Sequence, residues 1–452
     1  MARAPLLIIV LAAGKGTRMK SKIPKVMHKV AGRSMLAHVL ATASAAGAGG
    51  IAVVVGPGMA EVTAEAMRCA PAARVFEQMN QRGTADAVLA ARGAIASHKG
   101  DVLVMFADTP LIQPSTIERL VAALDSGADV AVLGFEAADP TGYGRLVTGA
   151  DGGLLAIREH NDASAGERAI RLCNSGVMAF RTGDLAGVLD RITPDHAKGE
   201  YYLTDAVALL RGDGRTASAI ACAGDEVLGV NSRAHLAAAE AVFQARARAH
   251  AMAEGATLIA PDTVWFSHDT VLGHDVIIEP NVFFGPGVTV GCDVRINANS
   301  HIEGAVIEDG ARVGPFARLR PGARLGVDVH VGNFVEVKNA RLERGAKANH
   351  LAYIGDGRVG EAANIGAGTI FCNYDGFNKH FTDVGHGAFI GSNSALVAPV
   401  KIGDGAFVGS GSVITRDVAA DALALERAEQ EERPGWAAKF RALMQRRKER
   451  RA

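Results

Sequence analysis

Aromatic residues make up only 5% of the 452 positions, and the chain has no net charge, with 48 Lys and Arg against 48 Asp and Glu. Neutrality excludes a nucleic-acid binder held by bulk charge, while leaving room for a local basic patch. No apolar run approaches the ~18–20 residues needed to cross a bilayer. The five cysteines, Cys69, Cys173, Cys222, Cys292 and Cys372, are odd in number, scattered and without a Cys-x-x-Cys pair. That excludes a disulfide framework and a zinc ribbon, and fits a reducing cytoplasm. The apolar stretch Pro5–Ala13 resembles the core of a secretory leader. It runs into Gly14-Lys15-Gly16 with no small-residue cleavage pattern, however, and reads as a buried first strand.

The length argues for two or more domains with ample core. Glycine divides the chain: 25 lie between Gly255 and Gly411, and 28 in the rest, which is nearly twice as long. In residues 6–230, short apolar runs alternate with helical patterns. Leu6–Leu11, Ile51–Val55, Val102–Phe106 and Val130–Phe135 read as buried strands. Met35–Ala46 reads as a helix closing at Gly47, and Thr116–Leu124 as a helix opened by Ser115 with Glu118 at capping-box spacing. Such alternation predicts a mostly parallel sheet covered on both faces, binding ligands outside the carboxyl ends of its strands. Residues 232–253 lack Gly and Pro and are rich in Ala, which predicts a long connecting helix.

The second half carries a repeat. An aliphatic residue, in one place Phe, returns at every sixth position: Leu272, Ile278, Phe284, Val290, Ile296, Ile302; then Val313, Leu319, Leu325, Val331, Val337; then Val384, Ile390, Leu396, Ile402, Val408, Ile414. Neither the 3.6 period of a helix nor the 2 of a strand explains this. Hexapeptide repeats form a parallel β-helix, with aliphatic side chains inside and Gly, Asn and Asp at the corners. Residues 371–383 break the rhythm and are expected to loop out, and Asn339–Ala352 is a second candidate loop. The end, Lys439 to Ala452, has seven basic residues and one acidic. It reads either as a solvated tail or as a clamp for an anionic ligand or surface.

Leu11-Ala12-Ala13-Gly14-Lys15-Gly16-Thr17-Arg18-Met19 follows the first strand directly. It is neither a Walker A loop nor a dinucleotide fingerprint. Its glycines, with Lys15, Arg18 and Lys25, still make a cradle of backbone N–H groups and cations suited to phosphates. Asp108 ends another apolar strand where a ligand crevice is expected. It reads as a Mg²⁺ ligand beside substrate phosphates or as a turn-capping Asp before Pro110. In the repeat half, Arg320, Lys338, His350 and Tyr353 fall at corners or between repeats, outside the needs of coil geometry.

Leu11–Met19, Pro24-Lys25-Val26, Gln78, Gly83-Thr84, Phe106-Ala107-Asp108, Thr141-Gly142-Tyr143-Gly144-Arg145, Glu159-His160, Asn174-Ser175-Gly176, residues 199–205 and Gly229-Val230-Asn231 occur in this order. Together they resemble the sugar-1-phosphate nucleotidyltransferases. With the repeat half, nearly the whole chain resembles the bifunctional bacterial N-acetylglucosamine-1-phosphate uridyltransferase/glucosamine-1-phosphate acetyltransferase family. The resemblance implies a Rossmann-like nucleotidyltransferase domain at 1–231, a linker helix at 232–254 and a left-handed parallel β-helix at 255–452. It further implies that Asp108 and Asn231 hold Mg²⁺ and that Arg18 and Lys25 stabilise charge on UTP. Leu11, Ala12, Ala13, Gly14, Gln78, Gly83 and Thr84 would bind the nucleotide, and Gly144, Glu159 and Asn174 the N-acetylglucosamine moiety. Phe106-Ala107 departs from the Tyr-Gly usual in the family.

For the second half the resemblance implies a homotrimer, with acetyl sites between neighbouring subunits. His350 matches the general base that frees the amine lone pair, a task suited to imidazole near neutral pH. Arg320 and Lys338 would bind the sugar phosphate, and Tyr353 and Asn364 would place the sugar. Ala367, Asn373, Tyr374, Ser392, Ser410 and Arg427 would bind acetyl-CoA. Two other readings are a monofunctional nucleotidyltransferase using the repeat only to oligomerise, and a non-catalytic binding protein with vestigial sites.

Overall fold

The computed structural model describes residues 5–181, 183, 185–194 and 199–451. It forms two compact units, Met1–Ala249 with Phe266–His268, and His250–Trp265 with Asp269–Ala452.

In the first unit the main strands are β1 Leu6–Leu11, β2 Gly50–Val55, β3 Arg74–Glu77, β4 Asp101–Phe106, β5 Val130–Glu136, β6 Leu172–Phe180 and β7 Ala217–Cys222. Their sheet order is β7-β5-β6-β4-β1-β2-β3. Pairing is parallel except for β6, which runs antiparallel to both neighbours. All of β1 is buried because the sheet is covered on both faces. Ile8 and Val10 enter one cluster with Leu36, Leu40 and Ile117, while Ile9 and Leu11 enter another with Val88, Ile95 and Leu210. Each such side chain contributes about 1.5–3 kcal/mol through burial.

Helix Met35–Ala45 is capped by Ser34, whose hydroxyl accepts from the Ala37 N–H at 3.1 Å, and Gly47 follows at φ 75°. The helix expected over Thr116–Leu124 runs Pro114–Asp125. Pro114 occupies its first turn and Gln113 its cap position, so the expected Ser115 cap does not form. The fixed φ of Pro suits that first position, and its missing N–H would have no partner there in any case. The long helix is present as Arg233–Ala253. Its buried Gln244 exchanges hydrogen bonds with the Phe266 backbone, Nε2 to O at 2.7 Å and N to Oε1 at 2.8 Å, which ties Phe266–His268 into this unit.

The second unit is a parallel β-helix. Val271 pairs with Thr289, Ile278 with Ile296 and Phe284 with Ile302, so each short strand bonds the third one after it. The sixth-position aliphatics are all buried except Leu272, which is half-buried. Asp275, Asn281, Asp293, Asn299 and Asp328 turn corners at φ 58–60°, a conformation their short polar side chains tolerate.

Asn339–Ala352, expected as a second loop, stays in the solenoid. Glu336–Leu342 and Lys347–His350 pair in parallel with the turns on either side. The rhythm continues through Leu342, Ala348, Ile354, Val359, Ile365 and Phe371, all buried. Five-residue steps and a small alanine hide it from a search at period six. The loop within 371–383 does leave. Ile370–Cys372 and Thr382–Val384 remain in the ladders, and 373–381 is ejected between them.

Candidate active sites

Leu11 stands opposite Phe106 in register, so the Gly-rich loop leaving β1 and the Asp108 turn leaving β4 are neighbours at the carboxyl edge of the sheet. The Ala107 N–H donates to Leu11 O at 3.0 Å, and the Val230 N–H donates to Asp108 O at 2.9 Å, drawing Asn231 to the same edge. Lys25 Nζ donates to Asp108 Oδ2 and, at 3.2 Å, to Asn231 Oδ1. Two oxygen ligands from distant parts of the chain thus converge on one cationic point.

A cleft of about 420 Å³ opens here, lined by Leu11, Ala12, Ala13, Gly14, Lys25, Gln78, Gly83, Thr84, Phe106 and Asp108 from the expected set. Lys15, Gln81, Glu200 and Tyr202 also line it. Gln81, absent from the nucleotide residues inferred from the sequence, donates its Nε2 to Ala13 O at 2.8 Å and fixes the loop. Gln78 Nε2 holds Gly83 O at 3.0 Å and Asp86 at 2.9 Å. Gly83 sits at φ 135° with the Tyr201 backbone packed where a Cβ would project, so glycine is required there. Ala107 is fully buried in the core and supports the cleft from behind. Arg18 lies on the turn Thr17–Met19, exposed and outside the lining, with Met19 buried beside it.

Gly144, Glu159 and Asn174 gather around the hairpin of Arg145–Thr148 and Leu154–Arg158. The Asn174 N–H donates to Gly144 O at 2.8 Å, and the Glu159 carboxylate lies against Gly144. Asn174 Oδ1 accepts from the Gly176 N–H at 2.9 Å. Gly176 packs so closely on the Phe106 ring that a Cβ would lie 2.7 Å from it. This joins the cluster to the cleft wall and gives the unusual Phe106 a packing role. Burial, then the Glu200 and Glu159 carboxylates, pushes the Tyr202 hydroxyl pKa up.

Among the described residues no group of three or more His, Cys, Asp or Glu is arranged for a metal. The Asp108 carboxylate and Asn231 amide oxygen, already turned to one cation, fit a hard ion that completes its shell with phosphate oxygens and water.

In the second unit, exposed His350 bonds through Nδ1 to Asn333 Oδ1 at 2.7 Å, its register partner one turn earlier. An amide oxygen only accepts, so Nδ1 carries the proton and Nε2 the lone pair of the neutral ring. Ala348 pairs with Ile365, Ile365 with Ile390 and Ile390 with Val408. The residues two positions further on, His350, Ala367, Ser392 and Ser410, therefore stand one per turn along a single corner. Arg427 Nη1 donates to Ser410 O at 2.8 Å at the end of this column. Asn364, half-buried, pairs with Lys347 on the adjoining face.

On the next face, pairing of Leu319 with Val337 and of Val337 with Ile354 stacks Arg320, Lys338 and Gly355. The Tyr353 hydroxyl packs over Gly355. Arg320 Nη1 donates to Glu336 Oε1 at 2.8 Å. Lys338 is held below the usual lysine pKa range, first by the adjacent Lys379 ammonium, then by burial and by Arg320.

Lys379 comes from the ejected loop and was missed in the sequence. No periodicity marks that loop, and a lone lysine there carries no signal. Asp375 organises the loop, accepting from the Asn378 N–H at 2.6 Å, the Phe377 N–H at 2.8 Å and His380 Nε2 at 2.7 Å. These bonds, the Asn378 N–H foremost, hold its carboxyl well below the usual range. At the loop base, Asn373 Nδ2 bonds buried Asp356, which also accepts from Asn339 Nδ2 at 2.6 Å. Asn373 thus anchors the loop, while Tyr374 is exposed, with its hydroxyl on Gly376 O at 2.6 Å. Arg320, Lys338 and Lys379 cluster on one face of the β-helix, and His350 stands oriented by Asn333 on its own column.

Residues 8–174 match the model of the MobA-like NTP transferase domain, and residues 381–416 that of the bacterial transferase hexapeptide (six repeats). A nucleotidyltransferase unit joined to a hexapeptide transferase unit is the class that fold and sites define. Over 442 residues, 98% of each chain, the sequence is 59% identical to the bifunctional protein GlmU of Azorhizobium caulinodans. It is 60% identical over 442 residues, again 98% of each chain, to that of Xanthobacter autotrophicus. To that of Rhodospirillum rubrum it is 59% identical over 440 residues, 97% of this chain and 98% of the relative. The chain belongs to the GlmU family of bifunctional proteins.

Proposed function

We propose that the enzyme performs two successive reactions on one sugar. Residues 255–452 transfer the acetyl group of acetyl-CoA to the amine of glucosamine-1-phosphate, releasing CoA. Residues 1–231 then transfer UMP from UTP to the resulting N-acetylglucosamine-1-phosphate, releasing pyrophosphate, and residues 232–254 link the two domains. The product, UDP-N-acetylglucosamine, serves cell-envelope synthesis. One observation carries the reading: a chain with Lys25, Asp108 and Asn231 converged at a sheet edge also holds, on its β-helix, an Asn-oriented imidazole and a cluster of three cations.

In acetyl transfer, His350 Nε2 takes a proton from the sugar ammonium, and the freed amine attacks the thioester. Arg320, Lys338 and Lys379 hold the sugar phosphate, and Tyr353 and Asn364 orient the ring. Acetyl-CoA lies along the corner of Ala367, Ser392 and Ser410, with Asn373, Tyr374 and Arg427 at its edges. In uridyl transfer, the sugar phosphate attacks the α-phosphorus while Lys25 and Arg18 neutralise the triphosphate, work of positioning and charge rather than covalent catalysis. Mg²⁺, held by Asp108 and Asn231, supplies further neutralisation when bound. Leu11–Gly14, Gln78, Gly83, Thr84 and Phe106 receive the nucleotide, with Ala107 behind them, and Gly144, Glu159 and Asn174 the acetylated sugar.

The exterior aromatic stacks Phe316–Phe334 and Phe389–Phe407, centroids 5.2 and 4.5 Å apart, support a homotrimer built on the β-helix. The unpaired cysteines support a cytoplasmic location. A purely oligomerising repeat would have no use for the His350–Asn333 bond or the Lys338–Lys379 pair. Separate assays of the two half-reactions test the division of labour. His350→Ala is expected to lower acetyl transfer by about 10²–10⁴-fold and spare uridyl transfer, and Asp108→Asn to do the reverse. Loss of both activities in either folded variant would overturn it.

A further inference from the structure

The last helix, Trp436–Glu449, is exposed along its whole length save half-buried Met444. Trp436, Phe440 and Leu443 are 56%, 46% and 49% exposed. Steps of four, three and one put Trp436, Phe440, Leu443 and Met444 on one side of a helix. The Trp436 and Phe440 rings stack at 5.1 Å, 8° from parallel. Cations border this stripe on both sides. Lys439 and Arg446 lie along one edge, Arg441 and Lys448 along the other, and Arg447 closes its C-terminal end. Arg450 and Arg451 follow, while Glu449, the one acidic residue after Lys439, falls on the opposite side with Ala438 and Ala442. Among the described residues none of these seven cations makes an ion pair.

An isolated helix of this length is marginal in water and gains stability by covering its apolar side. A central apolar stripe, with long basic side chains reaching up from both margins, suits an interface with hydrocarbon below and phosphates to either side. Trp favours the headgroup level. We propose that this helix docks the enzyme, in the plane of the interface, on an anionic phospholipid surface. Charge complementarity decides for this occupant, because five cations in the helix and two directly after it, against one acidic side chain, match a sheet of lipid phosphates.

The test uses the full-length enzyme with vesicles of phosphatidylcholine alone or containing about 30% phosphatidylglycerol. Trp265→Phe leaves Trp436 as the single tryptophan, since the chain has two. Co-sedimentation with the anionic vesicles only, a blue shift of Trp436 emission and reversal by high salt are expected. Trp436→Ser with Phe440→Ser should lower partitioning at least about tenfold, with both enzymatic activities retained as the check on folding. Equal binding to both vesicle types, unchanged binding by the double variant, or no binding at all would overturn the proposal. So would a Trp436 shift that follows protein concentration without lipid, since a second copy would then be the occupant.

Discussion

Lys379 stands within reach of Lys338, and an anion between two ammonium groups would relieve their repulsion. If that anion is the sugar phosphate of the proposed acetyl transfer, removing one lysine leaves it short of a charge-assisted hydrogen bond, worth about 1.5–3 kcal/mol. Lys379→Ala should therefore raise the KM for glucosamine-1-phosphate by about tenfold or more and leave uridyl transfer unchanged. Steady-state kinetics of both half-reactions check this, and an unchanged KM would remove Lys379 from the phosphate site. A second residue acts on stability. His38 is buried, its Nε2 donating to Val30 O at 2.9 Å, and burial lowers its pKa from 6.5 to about 4. Between those values the unfolded chain takes up a proton that the folded chain refuses, so stability falls as pH drops from 6.5 toward 4. The loss approaches about 3 kcal/mol at the low end. Denaturant midpoints should decline across that window in the native protein and flatten in His38→Phe.

Secondary elements differ in how far the sequence betrays them. β1 was readable to the residue because Leu6–Leu11 is buried on both faces, leaving a continuous apolar run. The hexapeptide strands were readable because each turn repeats one inward position. Where the step shortened to five residues, as from Val337 to Leu342, the same inward position was filled but no longer in phase, and Asn339–Ala352 looked like a loop. Ser115 misleads for another reason, since that helix starts at Pro114, two residues before Thr116, and puts Gln113 at the cap. Lys25, Asp108 and Asn231 were found as separate candidates by position and resemblance, but their meeting depends on strand order, which no local pattern carries. Asn333 shares the His350 column 17 residues earlier and becomes visible only once turns are aligned by their buried residues. The hidden rhythm carries weight in folding. Ile354→Ala, at a fully buried position between Val337 and its later neighbours, should cost about 2–5 kcal/mol by urea denaturation. A surface-like cost below about 0.5 kcal/mol would contradict its place inside the prism.

At the scale of the whole molecule, each unit has its own core and its own site, so the two reactions are separable in a mixture. His350→Ala and Asp108→Asn proteins, each unable to make UDP-N-acetylglucosamine from glucosamine-1-phosphate alone, should do so together as N-acetylglucosamine-1-phosphate diffuses from one to the other. Product formation with acetyl-CoA and UTP present checks this, and an inert mixture of folded variants would mean that the intermediate is never released. The column Asn333, His350, Ala367, Ser392 and Ser410 has an evolutionary corollary. Its members occupy successive storeys of one tower, so descendants can add or drop entire storeys below Asn333, about eighteen residues at a time as between Val271 and Thr289, and keep the chemistry intact. Length variation among relatives should accordingly be coarse-grained in that lower stretch and nearly frozen from Asn333 to Ser410.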